Sequence, residues 1–108
     1  MVDCLFCKII NKELPSEIIM ENEKCLAFKD KFPKAPIHIL IVPKEHIESI
    51  NSENSESIVR DLILMAKDII NRENIKGYKL VFNVGREGGQ MIDHLHMHLL
   101  SGGKIEMP

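Results

Sequence analysis

The sequence contains no run of apolar residues long enough to cross a membrane, and Met1-Val2-Asp3 does not open a signal peptide. Its net charge of -2 provides no basic field that would attract the phosphates of a nucleic acid. Three cysteines are an odd number, which argues against a secreted disulfide framework. We therefore expect a cytoplasmic protein that binds neither a membrane nor a nucleic acid.

Repeats, linkers and low-complexity segments are also absent from the 108 residues. The proportions of apolar and charged residues are those of an ordinary globular protein. A chain of this length can bury a real hydrophobic core but is too short for two domains. We expect one domain over residues 1–108.

Hydrophobic patterning predicts two helices and about five strands. The predicted helices are a short one from Cys4 to Asn11 and a long one over Asn54–Arg72, where apolar residues recur at helical spacing. The predicted strands are Glu17–Glu21, Lys24–Lys29, Ile37–Val42, Tyr78–Val84 and a last one over 94–100. This order predicts an α+β fold with an antiparallel sheet.

The last predicted strand carries histidines at alternate positions, His94, His96 and His98, separated by apolar residues. Successive side chains of a strand point to opposite faces. The pattern therefore predicts three imidazoles on one face, about 7 Å apart. Histidine exchanges protons near neutral pH and can also act as a nucleophile or a metal ligand.

A glycine-rich loop over residues 85–90 immediately precedes the histidines. Glycines let backbone N–H groups approach an anion closely, and Asn83 and Gln90 would add neutral donors. A plain hairpin connection is the alternative for the loop taken alone. Together with aligned imidazoles, the loop favours phosphoryl or nucleotidyl transfer, which needs a nucleophile, charge-stabilising donors and a proton source.

A second group consists of Cys4, Cys7, His46 and one further histidine. Two thiolates two residues apart can hold one zinc ion, and two imidazoles would complete a tetrahedral structural site. Free thiols and a redox pair are the alternatives, although a redox Cys-x-x-Cys typically follows a strand. Cys25 stands alone and is expected in the core.

Asp30 follows a predicted strand, and a loop carboxylate of this kind is either a solvated surface group or an acceptor for ribose hydroxyls. Apolar walls for a base are available in this chain, although core packing explains the same residues equally well. They are Phe6, Ile9, Phe28 and Leu40.

The run His-apolar-His-apolar-His-apolar-apolar at 94–100 resembles the defining motif of the histidine triad (HIT) superfamily of nucleotide hydrolases and transferases. The likeness covers nearly the whole chain and is closest to the Hint branch. The other segments that resemble this branch are Phe6-Cys7-Lys8-Ile9-Ile10, Cys25-Leu26-Ala27-Phe28-Lys29-Asp30, Ala35-Pro36-Ile37-His38, Pro43-Lys44-Glu45-His46 and Gly88-Gly89-Gln90.

The resemblance implies a homodimer whose sheets join across the interface, and cleavage of a purine nucleotide substrate at the α-phosphate. It implies that His96 is the nucleophile, that His98 contacts the phosphate or helps protonate the leaving group, and that His38 supports the imidazoles. It further implies a nucleotide site with Asp30 at the ribose. Asn83, Gly89 and Gln90 then lie on the phosphate side, and Phe6, Ile9, Phe28 and Leu40 line the nucleoside pocket.

Relatives that carry the Cys-x-x-Cys bind zinc through it, so the resemblance implies the ligands Cys4, Cys7, His46 and His94. The chain departs from the family pattern at Met91, where many members place a hydroxyl residue near the leaving group. It also reaches Pro108 without the aromatic residue of some relatives' specificity tail.

These features favour a hydrolase of nucleoside 5'-phosphoramidates or related nucleotides that acts through a covalent nucleotidyl-His96. A dinucleoside polyphosphate hydrolase is the nearest alternative. Nucleotidyl transfer fits less well, since the transferase branch typically has glutamine in place of His98. A nucleotide-sensing or partner-binding protein with incidental turnover is the alternative from another class.

Overall fold

The structure of the chain, a computed structural model, describes residues 4–105. The predictions on Met1-Val2-Asp3 and on the tail at Pro108 lie outside the described residues. The helices are α1 (Leu5–Ile10) and α2 (Ser55–Arg72), with a single 3-10 turn at Arg86–Gly88. The strands are β1 (Ile18–Glu21), β2 (Cys25–Lys29), β3 (Ile37–Pro43), β4 (Lys79–Val81) and β5 (Met97–Ser101).

The five strands form one antiparallel sheet in the order β1-β2-β3-β5-β4. β5 therefore lies between β3 and β4, and Leu40 of β3 is paired with His98 of β5. The predicted α+β fold, with an antiparallel sheet, a short first helix and one long helix, is confirmed.

One face of the sheet packs against α2. The apolar stripe of this helix, Leu62, Met65, Ala66 and Ile69, is fully buried against the sheet. The sheet contributes Cys25, Ala27, Ile39, Ile41, Met97 and Leu99 to the same cluster, joined by Leu95. Burying each large aliphatic side chain stabilises the fold by about 1.5–3 kcal/mol, so the packing of α2 on this face contributes strongly to stability. Within residues 4–105, neither helix combines the length and the apolar character that a bilayer span requires.

The other face of the sheet is covered by α1. The thiol of Cys4 caps this helix by accepting a hydrogen bond from the backbone N–H of Cys7 at 3.3 Å. Phe6 and Ile9 of the helix then pack with residues that alternate along β2 and β3. These residues are Leu26, Phe28, Leu40 and Val42. His38, two positions before Leu40 on β3, lies on this same face.

The histidine segment differs from its prediction, because β5 begins only at Met97. The ladder with β3 ends at the pair Ile41–Met97. Pro43 has no N–H to donate further along, and the N–H of Leu95 bonds instead to the carbonyl oxygen of Ile47 at 2.8 Å. His94 and His96 therefore lie in the chain that leads into the strand, outside the ladder.

The strand expected over Tyr78–Val84 is also shorter than predicted and covers only Lys79–Val81. Its three residues pair with Leu100, Leu99 and His98 of β5. The pairing therefore ends one residue short of Met97, where β5 begins. The residues after Val81 lead into the glycine-rich loop rather than extending the sheet.

Candidate active site

The five histidines form two groups next to one another. His46 and His94 lie with two cysteines, whereas His38, His96 and His98 lie with Asp30. The alternation predicted for the histidine segment survives the shortened strand, since Leu95, Met97 and Leu99 all pack on the α2 side. The imidazoles consequently remain on the α1 side.

Cys4, Cys7, His46 and His94 bring their ligand atoms within 4.8 Å of one another. The Nδ1 atom of His94 lies 3.4 Å from the Cys4 sulfur, 3.6 Å from the Cys7 sulfur and 3.1 Å from Nδ1 of His46. Nδ1 of His46 lies 3.2 Å from the Cys7 sulfur. Residues 39 and 90 positions apart in sequence thus converge on one point.

This geometry fits a single tetrahedral metal ion. With Zn–S bonds of about 2.3 Å and Zn–N bonds of about 2.0 Å, neighbouring ligand atoms are separated by about 3.3–3.8 Å. The four distances above fall at or within a few tenths of an ångström of that range. Two sulfurs and two imidazole nitrogens form a donor set typical of zinc.

The second ring nitrogen of His94 fixes which atom faces the cysteines. Nε2 donates a hydrogen bond to the carbonyl oxygen of Pro43 at 2.9 Å, so the lone pair of the neutral ring is on Nδ1. Burial lowers the pKa of His94 to about 4, which keeps the ring in the neutral form that binds metals. Burial also raises the pKa of the Cys7 thiol to about 11, with a further contribution from Cys4.

His96 is oriented by the backbone two residues before it. Its Nδ1 lies 2.8 Å from the carbonyl oxygen of His94, and because a carbonyl only accepts, this nitrogen is the donor. The neutral ring therefore carries its lone pair on Nε2. Phe6 packs edge-on against the imidazole at 5.0 Å between ring centroids, which restricts the ring further.

His38 and His98 form a directional pair. The backbone N–H of Lys34 donates to Nδ1 of His38 at 3.0 Å, so the proton of the neutral ring is on Nε2. That Nε2 lies 2.9 Å from Nδ1 of His98 and donates to it. The neutral His98 ring consequently carries its own proton on Nε2. His98 also lies beside His96, at 5.1 Å between centroids.

Burial is the dominant influence on all three imidazoles. It lowers the pKa of His98 to about 4, assisted by the neighbouring His96 and His38. Burial likewise lowers the pKa of His38 and that of His96, against the opposing effect of the Asp30 charge. The site is therefore a set of neutral imidazoles at pH 7, with their donors and acceptors fixed by the backbone.

Asp30 lies at the end of β2 and faces the histidines. Its Oδ2 is 3.3 Å from Nε2 of His38, and its Oδ1 accepts the N–H of Phe32 at 2.8 Å. The backbone N–H of Asp30 donates to the carbonyl oxygen of His38 at 2.9 Å. The carboxylate predicted at the ribose is thus also in contact with an imidazole.

The glycine-rich loop is held together from inside. The side chain of Gln90, only 3% exposed, accepts from the N–H of Gly85 and donates to the carbonyl oxygens of Glu48 and Ile92. The backbone N–H groups of Gly88, Gly89 and Gln90 bond to carbonyls of the loop itself. Asn83 donates to the carbonyl of Gly88. In this conformation those three N–H groups and the Gln90 amide maintain the shape of the loop and are not free to bind an anion.

The apolar residues predicted around the base are all core residues. Phe6, Ile9, Phe28 and Leu40 are each less than 10% exposed and belong to one cluster beside His96. Core packing accounts for their burial, and contact with a base stays a prediction. Met91 is by contrast 78% exposed, at the edge of a cavity of about 430 Å³ that Cys4 and His46 also line.

Sequence reasoning missed the backbone groups that orient the imidazoles. They are the carbonyls of Pro43 and His94 and the N–H of Lys34. A backbone group has no side-chain signature, although the short spacings from Lys34 to His38 and from His94 to His96 are compatible with local contacts. The contact between Asp30 and His38 was also missed. The sequence did contain a signal for this contact, because the proline-containing loop that starts at Asp30 leads directly into the strand that carries His38.

The HIT domain family model matches residues 11–105, which include the histidines His38 to His98. The chain belongs to the HIT family. A HIT-like protein of Synechococcus elongatus is 41% identical over 98% of this chain and 96% of its own length. Two solved structures of the family extend the match to three dimensions.

The first is a HIT family hydrolase from Legionella pneumophila, which is 41% identical with a TM-score of 0.90 and 98% of each chain covered. The second is a histidine triad protein from Clostridium difficile, which is 38% identical with a TM-score of 0.93. There the match covers all of this chain and 97% of the other. The arrangement of sheet, helices and histidines described above is therefore a HIT fold.

Proposed function

We propose that this HIT protein is a hydrolase that cleaves nucleoside 5'-phosphoramidates, or closely related purine nucleotides, at the α-phosphate. The observation that carries the proposal is the hydrogen bond from Nδ1 of His96 to the carbonyl oxygen of His94. It leaves Nε2 of a neutral, oriented imidazole with a free lone pair, which is what a nucleophile requires. The name of the Legionella relative, a HIT family hydrolase, supports the reaction class.

In the first step, Nε2 of His96 attacks the α-phosphorus. A nitrogen–phosphorus bond forms to His96, the bond from phosphorus to the leaving group breaks, and its electron pair departs with the leaving group. An amine leaving group takes up one proton. We assign this proton to the His38–His98 pair, which takes up one proton beyond its neutral state when the substrate binds, because the anionic phosphate favours the cationic form of a neighbouring imidazole.

In the second step, water attacks the phosphorus of the nucleotidyl-histidine. The bond to His96 breaks and its electron pair returns to Nε2, the water oxygen stays on the nucleotide with one of its protons, and the other water proton returns to the His38–His98 pair. The proton given up in the first step is thus recovered in the second. The same pair thus acts as the general acid in the first step and as the general base in the second.

We propose that Cys4, Cys7, His46 and His94 hold a structural zinc ion. All four ligand positions are filled by protein atoms, which is typical of structural rather than catalytic zinc. The ion would tie α1, the segment after β3 and the approach to β5 together beside the nucleophile. The bond-making and proton-transfer steps would be carried out by His96 and by the His38–His98 pair, not by the ion.

The protein is also proposed to act as a homodimer whose sheets join. Within residues 4–105, β4 is an edge strand that pairs with β5 alone, and Leu80 in the strand and Tyr78 just before it are 36% and 46% exposed. An edge strand with apolar side chains is a site at which a second chain can add. Cytoplasmic location and the absence of a nucleic-acid or membrane partner stay predictions.

A kinetic screen tests the substrate class. Purified protein is given adenosine 5'-phosphoramidates, dinucleoside polyphosphates and nucleotide sugars, with His96→Ala as the inactive control. Hydrolysis of the phosphoramidates at the highest kcat/KM supports the proposal. Preference for dinucleoside polyphosphates would favour that alternative, and slow turnover of every substrate with tight product binding would favour a nucleotide sensor.

A further inference from the structure

Asp30 contacts a buried imidazole, His38, in the absence of any substrate. Oδ2 of Asp30 lies 3.3 Å from Nε2 of His38, and the side chain of His38 is only 3% exposed. A carboxylate directed at a buried imidazole affects that imidazole before any substrate arrives. Asp30 is itself mostly buried, with 19% of its side chain exposed, so water screens the contact only weakly.

The hydrogen bonds of His38 determine what the carboxylate meets. Because Lys34 donates its N–H to Nδ1, the Nε2 atom of the neutral ring must carry the proton. This single N–H faces two acceptors, Nδ1 of His98 at 2.9 Å and Oδ2 of Asp30 at 3.3 Å. The carboxylate therefore fixes the direction of the N–H and adds one negative charge beside the pair.

The loop that joins β2 to β3 is built to maintain this contact. Oδ1 of Asp30 accepts the N–H of Phe32, and the backbone N–H of Asp30 donates to the carbonyl of His38. Both carboxylate oxygens are thus in use, one in the turn and one at the imidazole. The same charge opposes the lowering of the pKa of His38 and of His98 that burial causes.

From this geometry we propose that Asp30 is a positioning residue for the His38–His98 pair, which it orients and whose transferable proton it stabilises by its charge. The inference rests on the proposed function, and it deepens it by giving Asp30 a part in proton transfer that is separate from ribose recognition. It predicts that loss of the charge slows the chemical step even for a substrate that has no ribose hydroxyls.

The test variant is Asp30→Asn. Asparagine keeps an oxygen for the N–H of Phe32, so the turn is retained, but it places an amide N–H₂ or a neutral oxygen beside the His38 N–H. The matched control is Glu17→Gln, which removes an exposed carboxylate whose recorded partner is Lys29 and which contacts no imidazole in the described chain. Both variants and the unaltered protein are assayed on adenosine 5'-phosphoramidate and on its 2',3'-dideoxy analogue.

We expect Asp30→Asn to lower kcat on both substrates by about tenfold to a hundredfold, the scale of misplaced catalytic groups, while Glu17→Gln leaves kcat unchanged. An increase in KM confined to the ribose-bearing substrate, with kcat on the dideoxy analogue equal to that of the unaltered protein, would overturn the proposal. Asp30 would then bind only the ribose.

Imidazole ¹⁵N spectra of substrate-free protein provide a readout without turnover. The unaltered protein should show His38 with its proton on Nε2, and Asp30→Asn should shift the His38 and His98 signals whereas Glu17→Gln should not. Unchanged signals in Asp30→Asn, or His38 with its proton on Nδ1 in the unaltered protein, would also overturn the proposal. If the unaltered protein cleaves neither substrate, the proposed function fails, and the spectra alone decide the role of Asp30. If Asp30→Asn does not fold, Asp30→Ser, whose hydroxyl oxygen can still accept the N–H of Phe32, takes its place in both measurements.

Discussion

The Nδ1 nitrogen of His96 donates a hydrogen bond of 2.8 Å to the carbonyl oxygen of His94. His94 thereby contributes to two sites, since its side chain faces two cysteines while its backbone orients His96, the proposed nucleophile. The histidines of the triad are for this reason not equivalent. Among the described residues, Nε2 of His96 has a lone pair without a partner and Nε2 of His98 has an N–H without a partner, whereas both ring nitrogens of His94 are engaged.

His98 is expected to matter most for poor leaving groups. In His98→Asn, loss of a side chain that can release a proton should reduce kcat on a phosphoramidate of an alkylamine by about 10²–10⁴-fold, the usual contribution of a general acid. The loss should be much smaller for a leaving group that departs without a proton. Comparing the two substrates in steady-state assays checks this, and equal losses on both would refute a proton-donating role.

The metal group predicts a stability effect that is separate from catalysis. Cys7→Ser removes the thiol that lies near both His46 and His94, so the purified variant should contain no stoichiometric zinc. Its Tm should fall by about 10 °C, corresponding to about 2 kcal/mol for a domain of this size. Metal analysis and thermal unfolding are the measurements.

The matched control for the metal is Cys25→Ala. Cys25 is fully buried but lies on the α2 side of the sheet, away from the metal group. This variant should retain its zinc. Unaltered protein that contains no zinc and whose Cys4 and Cys7 thiols titrate freely would show that the group is a pair of free thiols.

The hydrogen bonds of Gln90 are expected to stabilise the glycine-rich loop. Gln90→Ala loses three partly buried hydrogen bonds, so we expect a loss of about 2–3 kcal/mol in the free energy of unfolding. Asn83→Ala loses the single bond to Gly88 and should cost less than half as much. Urea denaturation measures both. Equal costs would mean that Gln90 is not the centre of the loop.

The buried imidazole of His98 predicts how stability depends on pH. Its pKa is about 4 in the folded protein, where burial is the main cause, and about 6.5 in the unfolded chain. The unfolded state therefore binds more protons between these values, and stability falls as pH decreases from 6.5 towards 4. The urea midpoint should follow this fall, and the dependence should be shallower in His98→Asn. Parallel curves for both proteins would contradict this assignment.

The sequence was sufficient for the fold because its patterns are local. The helical stripe of Leu62, Met65 and Ile69 predicted α2 to within a residue, and the apolar run around Ile39 and Ile41 predicted β3. The end of the histidine strand could not be read in this way. It depends on Pro43 and Ile47, which lie about fifty positions earlier in the chain and take part through backbone atoms.

The candidate site was predicted as a set of residues but not as a network. The motif singled out His96 and His98, whereas the protonated nitrogen of each ring follows only from contacts with the carbonyl of His94 and with His38. Gln90 is a further residue whose contacts could not be predicted from the sequence. Its position before the histidines predicted a phosphate donor, and this stays a prediction. The sequence did not predict that its amide bonds to backbone groups of Gly85, Glu48 and Ile92.

The proposed mechanism requires that Nε2 of His96 become covalently bonded to phosphorus during turnover. Rapid mixing with an adenosine 5'-phosphoramidate, denaturation in base and mass spectrometry of the digested protein measure this most directly. We predict one adenylyl group on the peptide that carries His96, formed within the first turnover and absent from His96→Ala, which binds nucleotide but does not hydrolyse the substrate. Full activity in His96→Ala would contradict the account.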